Sequence, residues 1–390
     1  MPASEAALLT RLQTLLPSLV LESSAAQHAL LETVASLAIA DPEPSPQTIL
    51  AQLAQAGLLT HCVPAVDAAP GRELSIRVLC LLRAALAYRS PLYDLMFVMQ
   101  GLGSHAVVQA GSPQQRRDYL PRVAQGQAIS ALALTEPEAG SDLSGICTSA
   151  QKQADGSYRI DGEKVFISNA GLATHYVLYA RTAEHPKRGL SAFLLPAATV
   201  GVETQSMRLL CDDHPIGRVI LRGVILPESA RIGDEGQGMS LALGTLARFR
   251  PTVGAAAVGM AARALHEAIA HVRRRQQFGQ PLANFQATQL RLAEMATELR
   301  AASLLVQHAA HTLDHAASPA EPAGPESAMA KLFATEMAQR VVDGALQLHG
   351  GSGLVFGSVI ERLYRDVRAL RIYEGTSEVQ KLIIARSLLH

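Results

Sequence analysis

The chain has 390 residues, 48% of them hydrophobic and 17% charged, with 34 basic and 34 acidic side chains and a formal net charge of zero. Such a composition excludes a disordered chain and favours a globular, helix-rich one. The longest run of like charge is Arg273-Arg274-Arg275, which leaves no electrostatic footprint for nucleic acid or anionic lipid and makes a small molecule the expected partner. The separated cysteines Cys62, Cys80, Cys147 and Cys211 include no CxxC pair and read as free thiols of a reducing compartment. The start of the chain, with Glu5, Arg11 and Pro17 in its apolar run, lacks the pattern of a signal peptide. No uncharged apolar run reaches membrane-spanning length, so a cytoplasmic protein without membrane insertion is expected.

Apolar residues at three and four spacing predict helices over Ala6 to Leu21, Ala26 to Ala38, Pro46 to Ala56, Ser75 to Tyr88 and, more briefly, Pro113 to Val123. From Ala131 the period becomes that of strands, in "ALALTE", "GSYRI", "KVFISN", "YVLYART", "SAFLLPA" and "RVILRGVIL". Asp161-Gly162, between two of these, predicts a hairpin turn. Beyond Gly238 the helical period returns over Leu241 to Arg275, Phe285 to Ala317 and Ser327 to His349, then around Ser358 to Leu370 and Thr376 to Leu389. "ASPAEPAGPES" is a loop between two of these helices. The chain therefore divides into a helical unit (1–129), a β-unit (130–236) and a second helical unit (237–390). Motifs from all three are expected to converge on a cleft between them.

Taken singly, the motifs are ambiguous. "LTEPEAGSD" (134–142) ends a strand in a Gly-Ser turn that can cradle a phosphate or ring carbonyl, or be an ordinary loop. "VFISNAG" (165–171) places Phe166 and Ser168 on one strand face, which plain packing also explains. In "RRQQFGQPLANFQ" (274–286), Arg275 and Phe278 leave a helix tip together, suiting a diphosphate and a stacked ring, or Arg275 complements the helix dipole. "QLHGGSG" (347–353) permits close approach of another group, or is a C-cap. His308, His311 and His315 share a helical face near Asp314; solvated decoration is the better account of them than a metal site, and no metal is expected. Glu374, in "RIYEGTSEVQKLI", is on its own a carboxylate at a helix N-terminus.

Together and in order, these five stretches resemble the FAD-dependent acyl-CoA dehydrogenase family, from roughly Tyr119 to the end. The resemblance implies an α+β fold of an N-terminal helical domain, a middle β-barrel or sandwich domain and a C-terminal four-helix bundle. It implies FAD contacts for Leu134, Thr135, Gly140, Ser141, Phe166 and Ser168, with Ser141 also near the acyl-CoA. The family usually has Trp at Phe166, and this chain has none. Arg275, Phe278, Gln347, Gly350 and Gly351 match residues that reach the FAD of a neighbouring subunit, implying a homodimer or homotetramer, and Thr376 and Glu378 match contacts to the adenosine side.

Glu374 matches the catalytic base, which removes the α-proton while hydride leaves the β-carbon for flavin N5; Tyr373 and Gly375 flank it on the substrate side. Gly375 leaves room for the acyl group. Arg250 matches the Arg beside the base and the acyl-CoA, although Ala247 stands where the family often has an acid. The implied activity is α,β-dehydrogenation of an acyl-CoA thioester, with an electron-transfer flavoprotein as acceptor. A carrier-protein thioester, an oxidase or monooxygenase on the same fold, and an idle acyl-CoA-binding subunit are the alternatives; Glu374 argues against the monooxygenases, which generally lack it. Arg89 lies in the region where carboxylate-recognising relatives carry a substrate Arg, but reads better as a surface residue.

Overall fold

A computed structural model describes residues 10, 25–40, 42–66, 74–185, 188–211, 213–316 and 324–389. Among the described residues six helices come first: α1 (Ala25–Ser36), α2 (Pro46–Gln55), α3 (Ile76–Arg89), α4 (Pro91–Leu102), α5 (His105–Ala110) and α6 (Pro113–Ala124). Of the helix expected over Ala6 to Leu21 only Thr10 is among the described residues, and most of the "ASPAEPAGPES" loop lies outside them. Side-chain caps set the starts: Ser45, Ser75, Ser90 and Ser112 each accept from the backbone N–H three residues on, and α2, α4 and α6 open with Pro. The sequence gives no helical period for α4 because it is buried nearly all round, Asp94 and Gln100 included.

The β-unit is one sheet in the order β6-β7-β3-β2-β4-β5-β8, with β1 paired parallel to β4. Its strands are β1 (Ser130–Ala133), β2 (Ser149–Lys152), β3 (Tyr158–Ser168), β4 (His175–Arg181), β5 (Leu190–Pro196), β6 (Val202–Met207), β7 (Ile216–Leu226) and β8 (Arg231–Ile232). No hairpin forms at Asp161-Gly162. Those residues lie inside β3, which pairs with β7 on both sides of a bulge there. Asp161 accepts from the Gly223 N–H at 2.6 Å, and a Cβ on Gly162 would meet Thr148 Oγ1 at 2.5 Å. The dipeptide bends one strand and does not reverse it. Edge strand β6 is mostly exposed and polar, so it carries no apolar alternation to be read in advance.

Both faces of β4 and β5 are covered. Val177, Tyr179, Ala192 and Leu194 join the helical core, while Tyr176, Leu178, Phe193 and Leu195 build a second core within the β-unit. The C-terminal helices are α7 (Gly238–Arg274), α8 (Gln286–Asp314), α9 (Pro325–His349), α10 (Val359–Val367) and α11 (Ser377–Leu389). Helix α9 packs on α7, α8, α10 and α11, and α7 also packs on α3. The α3–α7 crossing is close: a Cβ on Gly259 would lie 2.2 Å from the Ala84 carbonyl. One apolar cluster therefore runs through both helical units, from Leu79 and Phe97 to Met260, Val306 and Met337.

Asp314 fastens the two helical units. It accepts from Ser75 Oγ (2.9 Å) and from the N–H groups of Ile76 (2.6 Å) and Arg77 (3.2 Å), capping α3 from the end of α8. Among the described residues no helix is long and apolar enough to cross a membrane.

Candidate active site

The 3₁₀ turn Arg368–Arg371 delivers the chain to Glu374 and Gly375, which have φ of 53° and 90° before α11 begins. A left-handed conformation at a residue with a side chain costs about 1–2 kcal/mol, so the surroundings must impose it. Lys331 Nζ (2.7 Å) and Gln380 Nε2 (2.8 Å) both donate to the Gly375 carbonyl, and Gln380 also donates to the Glu374 carbonyl at 3.3 Å. Glu336 binds Ser377 Oγ at 2.6 Å and pairs with Arg371 at 2.7 Å. Glycine at 375 serves this turn: a Cβ would meet Gln380 Nε2 at 2.6 Å, a nearer constraint than the expected room for an acyl group.

The Glu374 side chain lines a cavity of about 650 Å³ between the three units, and its buried Oε2 has no hydrogen-bond partner among the described residues. Burial raises its pKa above the usual carboxylate range; the charges of Arg83, Lys331 and Arg250 oppose the rise, and Asp94 adds to it. Arg83 and Asp94 form a bidentate pair in the cavity wall (2.8 and 2.7 Å), and Arg83 Nη1 donates to Thr252 Oγ1 at 2.9 Å. Both side chains are 2–3% exposed. Leu92, Leu95, Val98 and Met99 of α4 make the neighbouring wall apolar.

From the β-unit, Leu134, Thr135, Phe166 and Ser168 also line the cavity. Lys164, fully buried, donates to the Leu134 carbonyl (3.0 Å) and to Glu136 (2.8 Å), which also accepts from the N–H groups of Cys147 (2.7 Å) and Thr148 (2.9 Å). Burial alone would raise the Glu136 pKa, but the Lys164 charge and these hydrogen bonds hold it below the usual carboxylate range. Ser168 Oγ lies 2.8 Å from His214 Nε2, and burial pushes the His214 pKa down to about 4, so the ring is neutral at pH 7. Phe166 has a φ of 57° and is half exposed.

Thus Leu134, Thr135, Phe166, Ser168, Tyr373 and Glu374 share one cavity, with the buried Arg250 close enough to act on Glu374 by its charge. The remaining predicted contacts lie outside its lining. Gly140 and Ser141 are exposed on the turn beyond Thr135. Arg275, Phe278, Gln347, Gly350 and Gly351 are exposed where α7 and α9 end, an end marked by the His271 and His349 rings at 4.3 Å. Thr376 Oγ1 accepts from the Val379 N–H, and Glu378 is exposed. Arg89 is not the expected surface residue: it lines the cavity and donates to the carbonyls of Val34 and Ala35. Arg83, Asp94, Lys331 and His214 went unread in the sequence, since none sits in a patterned motif.

Sequence models of the N-terminal, middle and C-terminal domains of acyl-CoA dehydrogenases match residues 24–127, 131–224 and 236–389. The chain belongs to the acyl-CoA dehydrogenase family. It is 40% identical to a 3-(aryl)acrylate reductase of Clostridium sporogenes, over 72% of this chain and 74% of the relative. It is 35% identical to the caffeyl-CoA reductase–Etf complex subunit CarC of Acetobacterium woodii, over 88% and 90%. A glutaryl-CoA dehydrogenase of Mycobacterium smegmatis, solved in complex with FADH2, superposes with a TM-score of 0.81 at 25% identity, covering 100% of this chain and 95% of that one. As a member of this family the chain is an oxidoreductase of the CH–CH bond of an acyl-CoA, and its cofactor is FAD.

The residues present fit that cofactor. Thr135 and Ser168, which bring hydroxyls, and the half-exposed Phe166, which brings an aromatic ring, line the same cavity as Glu374. A Cβ on Gly140, Gly350 or Gly351 would meet nothing among the described residues within 4 Å, so the backbone there is open to approach by another group.

Proposed function

We propose that the chain interconverts an acyl-CoA thioester and its 2-enoyl-CoA, with Glu374 exchanging the α-proton. The observation that carries this reading is the unpartnered Glu374 Oε2, buried at the wall of a cavity that also presents Leu134, Thr135, Phe166 and Ser168. FAD, when bound, supplies the acceptor for the hydride of the β-carbon. A buried carboxylate with a raised pKa is a stronger base when ionised, and the charges of Arg83, Lys331 and Arg250 favour that ionised form. In the reverse direction the protonated Glu374 returns the proton to the α-carbon.

Leu134, Thr135, Phe166 and Ser168 would hold the flavin ring, with His214 fixing the Ser168 hydroxyl and Gly140 and Ser141 continuing toward the diphosphate. Thr376 and Glu378 would meet the adenosine side. Arg275, Phe278, Gln347, Gly350 and Gly351 lie outside the cavity of their own chain, which supports a homodimer or homotetramer in which they reach the cofactor of a second copy. Arg250, Tyr373 and Gly375 would border the acyl thioester.

The reductive direction has its own support, since both relatives described above are named as reductases, one of them as a subunit of a reductase–Etf complex. An electron-transfer flavoprotein is accordingly the proposed redox partner. The deciding experiment is anaerobic mixing of the oxidised holoenzyme with straight, branched, aromatic and dicarboxylic acyl-CoAs, following bleaching of the visible flavin band, and the converse mixing of reduced holoenzyme with the 2-enoyl-CoAs. Bleaching or reoxidation by one class identifies substrate and direction together. Failure with every CoA ester, with flavin demonstrably bound, would refute the CoA thioester reading and favour a carrier-protein thioester.

A further inference from the structure

We propose that Lys331 is the positioning residue of the base: its buried ammonium, seated on the Gly375 carbonyl, holds Glu374 in its left-handed conformation and sets a positive charge behind it. This rests on the reading of Glu374 as the base.

Lys331 is fully buried in α9, where an ammonium ordinarily sits against a carboxylate. Here its hydrogen bond goes to a neutral acceptor, the Gly375 carbonyl, at 2.7 Å. Glu336, the acid of its own helix that acts on it, is engaged by Arg371 and Ser377, and Glu378 is exposed. The anion with the largest influence on Lys331 is Glu374 itself. Burial lowers the Lys331 pKa to about 8, so it is charged at neutral pH.

The geometry links this charge to the turn. Lys331 Nζ and Gln380 Nε2 converge on one carbonyl oxygen, filling both of its lone-pair positions. Rotating Glu374 out of its φ of 53° would swing that peptide and withdraw the oxygen from both donors. The base cannot leave its conformation without uncovering a buried ammonium.

The groups acting on Glu374 come from four helices: Arg83 on α3, Asp94 on α4, Arg250 on α7 and Lys331 on α9. Arg83 and Asp94 are locked together, so Arg250 and Lys331 supply the uncompensated positive charge. Arg250 reaches Glu374 by charge alone, whereas Lys331 also holds its backbone.

The test is the pH dependence of single-turnover flavin reduction in the FAD-loaded enzyme, with thermal midpoint and flavin content measured on the same samples. Lys331→Met should move the acid limb up by about one pH unit and lower the plateau about tenfold through misplacement of the base. Lys331→Gln, which keeps a donor without charge, should move the limb equally and lose less of the plateau. Gln380→Leu should lower the plateau and leave the limb in place. A lowered midpoint with an unmoved limb in both Lys331 variants would reduce Lys331 to a structural role and overturn the inference. If Lys331→Met does not fold, an unmoved limb in Lys331→Gln, or a moved limb in Gln380→Leu, overturns it. Glu374→Gln, run alongside, separates the readings: retained turnover there removes the base assignment itself.

Discussion

Glu136→Gln isolates the ion pair beneath the proposed flavin-facing strand. Glu136 Oε1 accepts from Lys164 Nζ and the Thr148 N–H, and Oε2 from the Cys147 N–H. A glutamine can keep the first oxygen but turns an N–H₂ toward Cys147, leaving one orphaned donor and an uncompensated buried ammonium. Breaking a buried pair in this way costs about 3–5 kcal/mol. With an unfolding entropy of roughly 2 cal/mol/K per residue over 390 residues, the thermal midpoint should fall by about 5 °C at pH 7. The pH dependence has a fixed sign. The folded Glu136 pKa is held below its unfolded value, so its stabilisation is present above the unfolded pKa and is lost as pH falls through the folded one. The gap between wild type and variant should therefore narrow below about pH 4.5. Circular dichroism melts from pH 4 to 8 measure this, and flavin retention on gel filtration reports the loosened Leu134–Thr135 segment. A fall of less than 1 °C at pH 7, or an equal fall at pH 4 and pH 7, would refute the reasoning.

The Glu374 pKa is raised by burial, so its contribution has the opposite sign: stability present below its unfolded pKa is lost as pH rises through the folded one. Glu374→Gln should therefore melt higher than wild type at pH 8, with the advantage vanishing near pH 4, while losing turnover by about three orders of magnitude. Asp94→Asn should destabilise by about 3–5 kcal/mol through the orphaned Arg83; by removing a charge that raises the Glu374 pKa, it should also shift the acid limb of kcat/KM downward, and an upward shift would contradict the assignment. His214→Leu removes one hydrogen bond to Ser168, worth about 1 kcal/mol, and should weaken FAD binding roughly fivefold by fluorescence titration.

Most of the architecture could be read from the change of period, because the long helices recur at three and four spacing and β1, β3, β4, β5 and β7 are short apolar or alternating runs bounded by turn residues, whereas α5, β2 and β8 are too short, and β6 too polar, to show a period. The failures have physical causes. Asp161-Gly162 has the composition of a turn, but the pairing of β3 with β7 on both sides of it turns the dipeptide into a bulge. Glu374 was legible because an ordered set of motifs surrounds it. Lys331 was not: a single lysine in "AMAKLFATEMAQ" reads as the solvent face of a helix, and only the packing of α9 under α11 and α7 buries it. Arg83 and Asp94 were hidden likewise, eleven positions apart on different helices, where no spacing rule joins them.

The shared apolar cluster and the Asp314 cap make the helical half of the molecule discontinuous in the chain. During synthesis, α3 emerges long before α7, the helix it packs on most extensively, which follows only after the whole β-unit. The β-unit, with its own internal core, can close in the meantime. Completion of the helical core thus waits on contacts spanning well over a hundred residues, the kind that slow folding and leave sticky intermediates. A truncation anywhere in α7 to α9 should strand the amino-terminal helices as an aggregation-prone fragment, while the central sheet segment is the piece best suited to survive alone.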